Sequence, residues 1–355
     1  MAKRKKSSKR PQPKHKKQKK SQHDKRKRLQ TRNPDRKKTT NAKVPLTGVM
    51  QTAVSVLQAV MDRRIAFRLA IIVAGMLLAD DRRTASSWFV AAGVQDDWDR
   101  FYDCLISVGQ TSGKLATAVL GLVVQKFAPG LGGRILLGMD DSPTPRYGRH
   151  VEGAGVHHNP TPGPADGKWL YGHNWVALAW LARHPAWGVI AFPLRSMLYV
   201  REVDVPKLAE KYDWEFRTKH QLGVELLTWF MQAIRSLGVK TKVWLAVDGA
   251  YAARPFLLPV LALGITVVSR LRKDANLRDL PPSGSHGNRI YGENRISLAK
   301  RAGHPKGWST ISYYCRGAEV TRQYKTFLAT SRLISGQIRV VIVRFEDGEI
   351  GRAHV

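Results

Sequence analysis

The chain has 355 residues, of which 43% are hydrophobic, and a formal net charge of +32. This length and apolar content are enough for two or three domains with a sizeable core. The charge favours a polyanionic partner such as DNA, RNA or an acidic membrane surface. The two cysteines, Cys104 and Cys315, have no CxxC spacing and no pattern of a disulfide framework, which indicates a reducing compartment and no structural zinc.

The distribution of apolar residues also argues against a membrane-spanning helix and a secretory signal. The longest apolar run, 69–79, is bounded by Arg68 and Asp80, and it is shorter than the roughly 18 residues that a membrane-spanning helix needs. The basic N-terminus lacks the apolar segment of a secretory signal. We therefore expect a cytoplasmic protein without a membrane partner.

Residues 1–43 form a polybasic tail. They contain 20 Lys and Arg against Asp24 and Asp35, and so supply +18 of the total charge. Leu29 is the only Leu, Ile or Val among them, so the tail has too little apolar surface to fold alone and is predicted to be disordered. Two interpretations stay open: an arm that binds nucleic-acid phosphates, or a solvated tail without a specific role.

Residues 44–131 have the periodicity of helices. Apolar residues recur at three- and four-residue spacing from Val49 to Met76, as on one face of a helix. Thr84 and Ser86 are both candidate N-caps for a shorter helix. This segment is predicted to be a helical domain, either a DNA-binding unit or a plain helical bundle.

From residue 132 to about 280, strands and helices alternate. The apolar run 135–139 ends abruptly in Asp140 and Asp141, and the run 242–247 ends in Asp248. The predicted order is three strands, a helix, a strand, a helix and a strand. That order indicates an α/β domain with an RNase H-like mixed sheet and flanking helices.

This order of elements brings two remote acids together. The predicted helix 219–237, with Thr218 as a capping-box residue, would return the 242–248 strand parallel to the first strand. Parallel neighbours end at the same sheet edge, so Asp140 and Asp248 should lie side by side, which is repulsive unless a divalent cation lies between them. Asp141 should point to the other side of the strand and serve as a turn or capping acid.

Residues 281–349 are predicted to be a basic, β-rich insertion. They begin with a loop rich in Pro, Gly and Ser. Two long strands are expected at 320–329 and 337–345, with Ser335 and Gly336 near the turn.

Assembled in this order, the chain resembles a DDE transposase of bacterial insertion sequences, of the branch that carries a Tyr-Arg-Glu-Lys signature. The resemblance covers roughly residues 45–349. It is carried by the strand end 140–142, the turn 153–160, the segment Ala246-Val-Asp248-Gly-Ala-Tyr251, the strand 267–270 and the β insertion after it.

The resemblance implies a DNA-cutting and DNA-joining enzyme. In the family, a phosphodiester at the transposon end is hydrolysed and the freed 3′-hydroxyl attacks target DNA. Two Mg²⁺ ions, which Mn²⁺ can replace, are held by Asp, Asp and Glu. Asp140 and Asp248 match the first two as catalytic residues and metal ligands. The implied partners are terminal-repeat and target DNA, with a homodimer in a synaptic complex at the bacterial nucleoid.

The third carboxylate is where the chain departs from the family. The family places a Glu inside Tyr-x₂-Arg-x₃-Glu-x₆-Lys, which has no match here; the remaining candidates are Glu293, Glu319, Glu346 and Glu349. Residues 350–355 can be encoded by a string found in a common sequencing adapter, and are predicted to be non-native. We therefore expect a truncated, inactive copy of a longer chain; the alternative is a natural C-terminus.

Basic residues that flank the predicted acidic edge are candidates for DNA phosphate contact, each as readily a solvated base: Arg149, Lys168, Arg254, Arg270, Arg272 and Lys273. Two other functions stay open. One is a noncatalytic DNA-binding protein with a decayed RNase H-like core. The other is an RNase H-like nuclease or resolvase that uses other acids.

Overall fold

A computed structural model describes residues 48–80, 82–148, 150–159, 162–164, 166–272, 274–284, 289–315 and 317–345. The predicted polybasic tail and the segment 350–355 lie outside the described residues. The predicted domain boundaries near 131 and 280 stay predictions.

The described chain begins with helices, as the periodicity predicts. They are α1 (Gly48–Gln58), α2 (Arg63–Leu78), α3 (Ala85–Ala91), α4 (Trp98–Gln110) and α5 (Ser112–Phe127). Thr84 caps α3, because its hydroxyl accepts a hydrogen bond from the Ser87 N–H. Ile72, Phe89 and Phe101 are buried together in a small core between α2, α3 and α4.

A mixed sheet follows. Its strands are β1 (Arg134–Pro145), β2 (Gly155–His158), β3 (Trp169–His184), β4 (Gly188–Tyr199), β5 (Lys242–Val247) and β6 (Thr266–Val268). β3 pairs antiparallel with β1, β2 and β4, whereas β5 lies parallel to both β1 and β6. This pairing confirms the predicted α/β class with an RNase H-like sheet.

Helix α7 (Lys219–Ser236) makes the connection that brings β5 back beside β1, after a short helix α6 (Pro206–Tyr212) that the sequence analysis did not predict. Thr218 and Gln221 form the predicted capping box. Gly238 follows the helix with a φ of +73°, a left-handed conformation that glycine adopts without a steric penalty.

Close packing between α7 and the sheet depends on Gly223. A Cβ atom at this position would lie 3.0 Å from Met139 Sδ and 2.9 Å from Phe256 Cε2, which is closer than side-chain carbons pack. Phe256 belongs to helix α8 (Arg254–Ala262), and Met139 is the residue before Asp140. The small residue therefore lets the first turns of α7 approach the end of β1.

Strand β1 is longer than the sequence predicts. It does not end at Asp140 but continues to Pro145, paired with β3 through the register Pro145↔Gly172. Its parallel pairing with β5 stops at Met139. Pro143 and Pro145 lack N–H donors, and they are tolerated because this half of β1 has a partner strand on one side.

A second sheet forms the C-terminal part of the described chain, where a β-rich insertion is predicted. It contains β7 (Leu277–Arg278), β8 (Arg295–Ile296), β9 (Ser309–Cys315), β10 (Ala318–Ser331) and β11 (Gly336–Arg344), with helix α9 (Leu298–Gly303) between β8 and β9. β10 and β11 are the two predicted long strands, and Ser335 has a φ of +51° at their turn.

Among the described residues, no helix is long and apolar enough to cross a membrane.

Candidate active site

Asp140 and Asp248 lie next to each other at the end of the parallel pair β1–β5. The last residues in register are Met139 and Val247, so the two aspartates are the next residues on neighbouring strands. Both have exposed side chains. The structure thus brings together the two predicted catalytic acids, 108 positions apart in the sequence, because neighbouring parallel strands end at the same sheet edge.

The Asp140 carboxylate lies in an unfavourable environment for its charge. Partial removal of water raises its pKa above the ordinary value, and repulsion from Asp141 and Asp248 acts in the same direction. The Asp141 N–H, which donates to Asp140 Oδ1 over 2.8 Å, and the Lys219 ammonium oppose that rise. Like charges this close favour a cation or a proton between them.

Asp248 also organises the backbone that follows it. Its Oδ1 accepts a hydrogen bond of 2.9 Å from the Ala250 N–H, so it caps the helical turn Gly249–Tyr251. The Ser269 hydroxyl donates to the Asp248 carbonyl oxygen over 2.8 Å and ties this residue to the segment after β6. Local capping and a remote hydroxyl together fix Asp248.

Asp141 is not the turn or capping acid that the sequence predicts. It lies within β1, half-buried, and its Oδ2 accepts hydrogen bonds from Lys219 Nζ at 2.5 Å and from Asn174 Nδ2 at 3.3 Å. The prediction is wrong because β1 continues beyond the acids, where its side chains still alternate between the two faces of the sheet. We call Asp140, Asp141 and Asp248 the acidic cluster.

Lys219 is a site residue that sequence reasoning missed. It is the first residue of α7, and its side chain is 34% exposed. The capping box located the start of the helix, but nothing in the local pattern indicated that this start faces Asp141. Its ammonium also lies 5.4 Å from the Tyr199 ring centroid, a distance typical of a cation–π contact.

The predicted DNA-contacting residues occupy different environments. Arg149 and Lys273 lie outside the described residues, and Lys168 is exposed. Arg272 is paired with Asp274 at 3.1 Å. Arg254 Nη1 donates to the Arg332 carbonyl oxygen and to Ser335 Oγ, which are protein contacts.

Arg270 is a predicted cation that lies beside the turn after Asp248. Its side chain is exposed. A Cβ placed on Gly249 would lie 3.7 Å from Arg270 Cβ, so Arg270 flanks the turn that Asp248 caps. This position suits a phosphate contact better than those of Arg254 and Arg272.

The acidic cluster fits a divalent cation in part. Carboxylate oxygens are the ligands that Mg²⁺ prefers, and Asp140 and Asp248 present them at one sheet edge. Within the described residues, no group of three or more His, Cys, Asp or Glu side chains forms a metal-ligand set. The candidate Glu346 and Glu349 lie outside the described residues, and Glu293 is engaged by Arg289 at 2.9 Å.

Comparison with protein families gave a match over most of the chain. A family model described as DDE superfamily endonuclease matches residues 56–332. The chain belongs to this family. A comparison with curated proteins gave no match. Membership in the DDE superfamily endonucleases supports a nuclease or transposase type of function with DNA as substrate, and the family normally uses divalent metals.

The family match also covers the parts that build the site. It includes both acidic strand ends, the whole of α7 and most of the second sheet. The matched residues therefore contain the edge of the sheet where β1 and β5 stop pairing.

Proposed function

We propose that this DDE superfamily endonuclease is a DNA transposase of bacterial insertion sequences. It cuts DNA at the ends of the element by metal-dependent phosphodiester hydrolysis and joins the freed 3′-hydroxyl to target DNA. The observation that carries the proposal is the adjacency of Asp140 and Asp248 at the end of two parallel strands. A net charge of +32 supports a DNA partner.

Asp140 and Asp248 are the residues that hold Mg²⁺ or Mn²⁺ in this proposal. When bound, the metal activates the attacking hydroxyl and neutralises charge on the leaving oxygen. The protein contributes a fixed pair of oxygen donors, because Asp248 is locked by its capping bond and Asp140 by the N–H of its neighbour. Partial burial, together with repulsion from the other carboxylates of the acidic cluster, raises the pKa of Asp140, and a bound cation would relieve that repulsion.

Cations around the acidic cluster have separate roles. Lys219 compensates Asp141 and keeps it from competing with Asp140 for the metal. Arg270 flanks the Asp248 turn and contacts a DNA phosphate, since a guanidinium matches phosphate oxygens. Two chains acting as a homodimer would bring both ends of the element together.

The test uses DNA that flanks the coding sequence and carries both ends of the element. In contrast to the inactive copy expected from the sequence, incubation with Mn²⁺ or Mg²⁺ is expected here to give nicks at the element ends, because Asp140 and Asp248 follow paired strands at one sheet edge. Asp140→Asn and Asp248→Asn should each abolish the nicks. Asp96→Asn, an exposed acid in the helical segment, is the matched control and should cut like the parent. Nicking that survives both site substitutions would refute the assignment.

A noncatalytic DNA-binding role is the second candidate. It is favoured by the fact that the described residues do not assemble three metal ligands. Calorimetric titration with Mn²⁺ separates the two candidates without requiring turnover. The transposase proposal expects Mn²⁺ binding that both Asn variants lose. A DNA-binding protein without the catalytic role would bind DNA equally well with and without Mn²⁺ and show no such site.

A further inference from the structure

The hydroxyl of Tyr251 is a buried polar group without a hydrogen-bond partner among the described residues. Tyr251 as a whole is 1% exposed. Most buried hydroxyls in folded proteins are hydrogen-bonded, and an unpaired one lowers stability. An unpaired buried hydroxyl beside a candidate active site therefore calls for a physical explanation.

The position of the Tyr251 ring is fixed from several sides. Tyr251 ends the turn that Asp248 caps. Its ring meets the Phe256 ring edge-on at 5.0 Å between centroids, and the His220 ring at 5.8 Å. His220 Nε2 is hydrogen-bonded to the Ala250 carbonyl oxygen at 3.0 Å. The phenol is therefore held in place by packing and shielded from solvent.

The carboxylates of the acidic cluster act on this phenol. Burial raises the pKa of Tyr251, and the carboxylates of Asp141, Asp140 and Asp248 raise it further. A phenol in these surroundings stays protonated at neutral pH and is therefore a hydrogen-bond donor. Its natural acceptor is a carboxylate oxygen.

We propose that Tyr251 is a positioning residue, whose hydroxyl donates a hydrogen bond to a carboxylate of the acidic cluster when that cluster holds a divalent cation. This inference rests on the proposed function. Among the described residues, backbone N–H groups hold only the Oδ1 atoms of Asp140 and Asp248. A bound cation would relieve the repulsion within the acidic cluster, and a carboxylate oxygen not held in this way could then accept a hydrogen bond from the hydroxyl. The unpaired hydroxyl lowers the stability of the metal-free protein. The hydrogen bond formed in the metal-bound protein removes this penalty and so strengthens metal binding.

If the inference is right, removing the Tyr251 hydroxyl lowers the affinity for the metal but does not lower the stability of the metal-free protein. Removing the hydroxyl of a tyrosine with a purely structural role would not lower the metal affinity. Tyr251→Phe removes the oxygen and keeps the ring that packs on Phe256. In the presence of a chelator, the urea midpoint of the variant should equal or exceed that of the parent, because no hydrogen bond is lost. The dissociation constant for Mn²⁺ should rise about tenfold, as when a residue that orients a metal ligand is removed.

Two controls make the result specific. Tyr313→Phe removes an equivalent oxygen from an exposed position on β9 and should change neither quantity. Asp140→Asn tests the proposed function itself. If the parent binds Mn²⁺ and Asp140→Asn does not, the proposed function stands whatever Tyr251→Phe does.

Three results would overturn the inference. Unchanged Mn²⁺ affinity in Tyr251→Phe would show that the hydroxyl does not reach the loaded cluster. A lower urea midpoint of this variant in chelator would show that the hydroxyl already has a partner, such as a buried water. If the parent binds no Mn²⁺, the proposed function fails and the inference fails with it.

Discussion

The ammonium of Lys219 lies 2.5 Å from Asp141 Oδ2, across 78 positions of sequence. This ion pair links the first residue of α7 to the strand that carries Asp140. The two side chains are 34% and 23% exposed, so the pair is partly shielded from solvent. It therefore connects the crossover helix to the acidic edge of the sheet at the point where the parallel ladder stops.

A double-mutant cycle on this pair should show measurable coupling. Lys219→Met and Asp141→Asn each remove one charge, and the coupling free energy of unfolding in urea is expected to be about 0.5–1 kcal/mol, the upper part of the range for partly exposed pairs. Lys219→Arg keeps the charge and serves as the control. A coupling energy indistinguishable from zero would mean that the pair does not stabilise the fold in solution.

Asp140→Asn should stabilise the metal-free protein at neutral pH. The pKa of Asp140 is raised in the folded state, so the folded protein binds this proton more tightly than the unfolded chain, and ionisation of Asp140 above that pKa costs stability. As the pH falls through the raised pKa, the stability of the parent relative to Asp140→Asn should therefore rise. The rise ends where Asp140 is protonated in both the folded and the unfolded protein.

The measurement is the difference in urea midpoint between parent and variant in chelator, followed from neutral pH down to about pH 4. Adding Mn²⁺ at neutral pH should stabilise the parent and leave Asp140→Asn unaffected. If Asp140→Asn instead had the lower urea midpoint at neutral pH, the surroundings of Asp140 would stabilise its charge rather than repel it.

Two substitutions of Asp248 should separate its charge from its capping role. Asn can accept the same hydrogen bond from the Ala250 N–H, whereas Ala cannot. Asp248→Asn should therefore unfold close to the parent, and Asp248→Ala should be less stable than Asp248→Asn by about 1 kcal/mol. Both should lose Mn²⁺ binding in calorimetric titration. Equal stability of the two variants would show that the cap contributes nothing.

Arg270 and Arg254 should respond differently to removal of their charge. Arg270→Gln is expected to weaken DNA binding and reduce the slope of log K against log salt by about 1, as for loss of one phosphate contact. Arg254→Gln should chiefly lower the urea midpoint, because Arg254 donates to the Arg332 carbonyl oxygen and to Ser335.

Fluorescence anisotropy with labelled DNA at several salt concentrations measures the binding slope. Arg272→Gln is the comparison variant, since Arg272 is paired with Asp274 in an exposed position. If Arg254→Gln reduced the salt slope and Arg270→Gln did not, the assignment of the phosphate contact to Arg270 would be wrong.

Much of the fold could be predicted from the sequence, because helix caps and apolar periodicity are local patterns and the order of strands and helices restricts the topology. The capping box of Thr218 and Gln221 set the start of α7, and the order of strands and helices fixed β5 parallel to β1. Since parallel neighbours end at the same edge, the adjacency of Asp140 and Asp248 could be predicted from two apolar runs and the helix between them.

The sequence by itself therefore determined the elements, their order and the meeting of the two acids. Only the tertiary structure decided that β1 runs on to Pro145, that Lys219 pairs with Asp141, and that the Tyr251 hydroxyl is buried. Capping and periodicity act over three or four residues. The extension of β1 depends instead on its pairing with β3, and the other two features depend on how closely α7 packs on the sheet. The packing distance is set by residues far apart in the chain, such as Gly223 and Met139, and no local pattern encodes it.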